Sequence, residues 1–98
     1  MENIVYLELK RRNYQIWIGK ADNLEVDFAV RDENGYTKYI QVAYTVKEPK
    51  TLQRELAPFA KIPDFNERIL LTMDLETGSQ NGIKQINIID WLTMERKN

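Results

Sequence analysis

Apolar and polar positions alternate through "LEVDFAVRDENGYTKYIQVAYTV", which runs from Leu24 to Val46. In its first half Leu24, Val26, Phe28 and Val30 point one way, while Glu25, Asp27, Ala29 and Arg31 point the other, the period of a strand with one covered face. "DENG" joins this strand to the next. A two-residue loop at Asn34 and Gly35 would pair Asp27 with Val42 and mix the two faces. A three-residue loop of Glu33, Asn34 and Gly35, a type I turn followed by a left-handed glycine bulge, keeps the parity instead. Asp27 then sits opposite Gln41, and Glu25 opposite Ala43.

Elsewhere the period changes. "ENIVYLELKRRN" fits a strand through Val5, Leu7 and Leu9, and a helix through Val5 and Leu9. Its ending decides for a helix over Glu2 to Arg12: Lys10, Arg11 and Arg12 suit a helix C-terminus, and Asn13 tolerates the left-handed position after it. "YQIWIG" reads as a strand and "KADN" as a turn. Leu52, Leu56 and Phe59 recur at helical spacing between Glu48 and Ile62, with Pro49 in the first turn and a break expected near Ala57, ahead of Pro58. "RILLTM" is a short apolar strand expected to be central and covered on both faces. "DLETGSQNG" reads as a polar loop, "IKQINII" as a last strand, and Asp90 as the cap of a short final helix with Trp91 and Leu92. The sum is one mixed α/β domain with a sheet of about four or five strands flanked by helices.

Composition narrows the chemistry. The 98 residues include no cysteine and no histidine. Thiolate and imidazole metal sites, disulfides and histidine-based triads are therefore excluded, leaving carboxylates, amides, lysines and hydroxyls. Thr72 and Ser79 have no histidine base to activate them. The net charge of −1 means that any nucleic-acid binding must come from a local patch. No apolar run approaches the roughly 20 residues of a membrane span, and no signal-peptide pattern opens the chain, so the expectation is no membrane and a cytoplasmic location.

The order helix, three-strand meander, crossover helix, strand resembles the core of the restriction-endonuclease-like, or PD-(D/E)XK, fold. In that family an acidic residue of the second strand precedes an Asp/Glu/Gln-x-Lys motif in the third, and "EVDF" and "IQVAY" fall at those places. The phrases "ENIVYLELKRRNYQIWIGK", "EVDFAV", "YIQVAYTV" and "NGIKQINIIDWL", spread over almost the whole chain, look like the C-terminal domain of prokaryotic predicted AAA-type ATPases. The resemblance implies that this chain, residues 1–98, is one nuclease-like domain from the end of a longer ATPase. The chain itself has no phosphate-cradling G-x-x-x-x-G-K-[ST] loop, and "GKA" at Gly19 lacks the glycine spacing.

On this resemblance Asp27, Gln41 and Glu8 are the candidate catalytic and metal-binding residues, and Mg²⁺ is the implied cofactor. The motif lysine is replaced by Ala43. Lys38, Lys20 and Lys10 are the lysines that a displaced site would draw on, although Lys38 belongs to the opposite face of its strand. The bland readings stand beside these: Glu25 and Asp27 on a solvated strand face, Glu8 paired with Arg11 or Arg12, and Gln41 hydrogen-bonded within the sheet. Lys10, Arg11, Arg12 and Tyr39 form the candidate nucleic-acid surface, against a simple dipole match and packing. The expected function is an accessory, non-catalytic domain with a degenerate site that binds nucleic acid or a protein partner. The alternatives are a Mg²⁺-dependent nuclease with a displaced lysine, and an assembly module that docks on its own ATPase or forms a homo-oligomer through a sheet edge.

Overall fold

The computed structural model describes residues 1–19, 21 and 25–94. Leu24, at the head of the alternating segment, and Lys20, a candidate displaced lysine, lie outside the described residues. The chain runs α1 (Glu2–Arg11), β1 (Gln15–Ile18), β2 (Phe28–Arg31), β3 (Thr37–Val42), α2 (Pro49–Leu56), a 3₁₀ turn (Ala57–Lys61), β4 (Glu67–Thr72), β5 (Gly78–Gln80), β6 (Ile83–Asn87) and α3 (Ile88–Met94). Among the described residues the strands form one six-stranded sheet in the order β1-β2-β3-β4-β6-β5. The β1-β2-β3 meander is antiparallel, β4 lies parallel to both β3 and β6, and β5 is antiparallel to β6.

The helix ending at the basic run is confirmed. Asn13 takes φ 63°, and the backbone N–H groups of Asn13 and Tyr14 donate back to the carbonyls of Lys10 and Leu9. The hairpin loop is the three-residue form. Asp32 and Tyr36 are paired, the Gly35 N–H donates to the Asp32 carbonyl at 3.0 Å, and Gly35 has φ +85°. The Asp32 carboxylate accepts the N–H groups of Asn34 and Tyr36 and fixes the turn. The break at Pro58 is also present, since the regular helix stops at Leu56 and continues as a 3₁₀ turn.

The sheet has two covered faces. On one, α1 and α3 pack Val5, Leu9 and Trp91 over Phe28, Val30, Ile40, Ile69 and Leu71. On the other, α2 and the 3₁₀ turn bring Leu52, Leu56 and Phe59 over Val26, Ala43, Leu70 and Ile83. Strand β4 feeds both clusters from alternate residues, which explains its nearly unbroken apolar run.

Three expectations need correction. The alternation does not hold back to Val26: this residue packs with Ala43 and Phe59, because the backbone bends over residues 25–27 and β2 begins only at Phe28. Gly19 lies against this bend. Its N–H donates to the Asp27 carbonyl at 2.8 Å, and an added Cβ would fall 1.7 Å from the Val26 carbonyl oxygen, so this glycine serves a close backbone crossing. The stretch read as a polar loop contains β5, which turns into β6 through Asn81 and Gly82, both at positive φ (52° and 79°), as a two-residue type I′ hairpin requires. Finally, Asn87 rather than Asp90 caps α3: its Oδ1 accepts the N–H groups of Ile89 and Asp90, and Asp90 is itself in the first turn.

Candidate functional site

The glycine bulge brings Asp27 and Gln41 together. Phe28 pairs with Ile40, so the next pair outward is Asp27 with Gln41, where the regular ladder of β2 and β3 has ended. Side chains continue it. The Asp27 N–H donates to Gln41 Oε1 at 2.9 Å, and the Val42 N–H donates to Asp27 Oδ2 at 2.9 Å. Two backbone donors that the bend would otherwise leave unsatisfied are thus paired across the strands. Gln41 is buried, and Ala43 two residues on is buried among Val46, Phe59 and Leu70. A methyl group, packed in the core, therefore fills the position at which the nuclease resemblance would place a lysine.

Glu8 does not join them. It projects from α1, which packs on the opposite face of the sheet, and is only 5% exposed. Arg11 holds its carboxylate through Nε at 2.9 Å and Nη2 at 2.6 Å, and Arg12 Nε adds a bond of 2.7 Å. The hydrogen bond from Arg11, with the smaller contribution of Arg12, lowers its pKa to about 2 against the opposing effect of burial. Arg12 is equally buried. Its guanidinium donates to the Trp91 carbonyl at 2.7 Å and lies 4.3 Å from the centre of the Trp91 ring. This cluster fastens the end of α1 to α3.

The donor set does not fit a divalent cation. One Asp27 oxygen and the Gln41 amide oxygen already accept backbone N–H groups, and among the described residues no group of three or more acidic side chains is poised to hold a metal. Glu25, two residues before Asp27, is exposed and paired with Lys61 at 3.0 Å. Lys38 sits between Asp32 and Glu67, at 3.8 and 3.7 Å.

The candidate nucleic-acid residues are likewise divided. Lys10 is exposed, and Arg11 borders a cleft of about 470 Å³ with Lys38, Asp32 and Glu33, so acidic and basic groups share its walls. Arg12 contributes from a buried position, occupied by Glu8 and Trp91. Tyr39 lies on the other face, where its hydroxyl donates to Asp64 at 2.6 Å. Burial first, then the Asp64 carboxylate, raises the Tyr39 pKa, while the same hydrogen bond lowers that of Asp64. Tyr39, Glu25, Val26 and Lys61 line a smaller cleft of about 240 Å³ against Pro58 and Pro63.

Several polar residues that hold the fold were not singled out by the sequence. Asp74 is buried at the end of β4, accepts from the Val46 N–H at 2.9 Å and the Thr45 hydroxyl at 2.7 Å, and has its pKa lowered chiefly by the first of these bonds. Arg68 donates to the carbonyls of Ile62 and Asp64 and orders the loop before β4. Lys61 and Asp64 had no sequence signal beyond lying in a polar stretch near a proline.

Among the described residues no helix is long and apolar enough to cross a membrane. No family model matches the chain, and no solved structure does. It is similar to an uncharacterized protein of Haemophilus influenzae, 37% identical over 93 residues, covering 94% of this chain and 22% of the relative. It is also similar to the uncharacterized protein MJ1544 of Methanocaldococcus jannaschii, 31% identical over 94 residues, covering 92% of this chain and 21% of the relative. The chain thus spans about a fifth of the length of these two relatives, one bacterial and one archaeal.

Proposed function

We propose that this chain is an accessory domain of a longer AAA-type ATPase, on a restriction-endonuclease-like scaffold, and that it binds a protein partner rather than cutting nucleic acid. One observation carries the reading: the residues at the nuclease motif positions hold the sheet together. Asp27 and Gln41 bridge the strands through backbone N–H groups, and Ala43 is core. The antiparallel meander followed by a parallel crossover strand supports the scaffold, and two relatives about five times as long support work within a larger polypeptide. A protein partner is favoured over nucleic acid because Arg11 and Arg12, at the end of α1, are paired with Glu8 and border a cleft shared with Asp32 and Glu33.

The test is cleavage and gel-shift titration of DNA and RNA at low salt with Mg²⁺ or Mn²⁺. The expected result is neither cleavage nor a shift. Metal-dependent cleavage that disappears in Asp27→Asn would establish the nuclease reading instead. Lys61, at the cleft beside Tyr39, would then be the lysine to substitute next.

A further inference from the structure

Helix α1 is apolar on two sides. Val5 and Leu9 face the sheet, while Ile4 and Leu7 point away from that core and remain 52% and 65% exposed. Across from them α3 presents Ile89, 53% exposed, and Leu92, so that the two helices wall a groove of about 430 Å³. Glu8 and Arg11 border it and are paired with each other at 2.6 Å, so the groove offers little net charge. Two apolar helix walls facing each other are the geometry that receives a further apolar segment.

The size of the surface selects the occupant. Half-exposed aliphatic side chains present on the order of 100 Å² each. The three of that kind, Ile4, Leu7 and Ile89, with the partly buried Leu92 beside them, give on the order of 300 Å², well short of the roughly 800 Å² per partner of a stable free-standing complex. A second copy would therefore be held weakly. A segment tethered on the same polypeptide meets the groove at an effective concentration in the millimolar range and needs far less area. The relatives carry about four fifths of their length outside the matched region. We infer that the α1–α3 groove is the seat of an apolar, uncharged segment from the remainder of the same polypeptide, an inference that rests on the reading of this chain as an accessory domain.

The test uses single cysteines, which the chain lacks. In the natural full-length polypeptide carrying these residues, with any cysteine outside them replaced by serine, Leu7→Cys and Ile89→Cys are labelled with a maleimide and compared with Phe65→Cys, a loop position that is 98% exposed. Labelling at both groove positions is expected to be about tenfold slower or more, and independent of protein concentration. Two positions on different helices guard against one variant disturbing its own helix. Equal rates at groove and loop would overturn the inference, as would protection that grows with concentration, the mark of a second copy. Metal-dependent cleavage would sink the accessory-domain reading while leaving the labelling result to stand or fall by itself.

Discussion

Glu8 and Asp27 are the two acids that a nuclease resemblance singles out, and they end in different company. Asp27 meets backbone: its carboxylate accepts from the Val42 N–H, where the ladder between β2 and β3 has stopped. Glu8 meets cations: two guanidinium groups converge on it beneath α1. Asp27 serves there as an acceptor for a backbone donor, whereas Glu8 sets its charge against two guanidinium groups. The difference separates a polar residue that completes a hydrogen-bond ladder from one that neutralises a buried cluster, and neither duty requires catalysis.

The largest effect expected from this contrast is at Glu8. Glu8→Ala leaves Arg12 buried without its carboxylate, and chemical denaturation should show a loss of about 3 kcal/mol. Equal stability in the variant would mean that solvent already screens the pair.

The same residue sets an acid dependence. Its folded pKa is about 2, below the ordinary 4.5, so the unfolded chain takes up the proton more readily. The stability it contributes is complete above roughly pH 4.5 and is lost as pH falls toward 2, on the order of 3 kcal/mol in all. Asp64 and Asp74 act in the same direction, so the contribution is read as a difference. Glu8→Gln should flatten that part of the stability–pH curve, and an unchanged slope would contradict the assignment.

At Asp27 the effects are smaller and their order is diagnostic. Asp27→Ala strands the Val42 N–H and should cost about 1–2 kcal/mol by denaturant titration. Asp27→Asn keeps an oxygen acceptor there and should cost under about 0.5 kcal/mol. An asparagine variant as unstable as the alanine one would show that the negative charge matters at this strand end.

Legibility in the sequence followed the range of the forces involved. The bulged hairpin was readable because parity and the left-handed glycine are local, and Gly35 and the Asp27–Gln41 pair lie where the alternation puts them. The end of α1 was readable for the same reason, through Asn13. The side of the sheet on which α1 packs is a tertiary property with no local signal, so Glu8 was grouped with Asp27 and Gln41 although α1 covers the face opposite the one where Ala43 packs. The bend at residues 25–27 was hidden because alternation continues through it in the letters, while Gly19 crossing close by redirects Val26. Strand β5 was missed because Gly78–Gln80 is too short and too polar to show a period; its only mark was the Asn81–Gly82 turn. Arg12 looked like a phosphate contact because burial under Trp91 depends on α3, far away in the chain.

The most direct test of the central claim, that Asp27 and Gln41 hold the sheet rather than a metal, is Asp27→Asn followed in parallel by thermal unfolding and by nucleic-acid cleavage with Mg²⁺ or Mn²⁺. The account predicts a melting temperature close to that of the unaltered protein and no metal-dependent cleavage by either. Cleavage by the unaltered protein that vanishes in a variant of undiminished stability would contradict it.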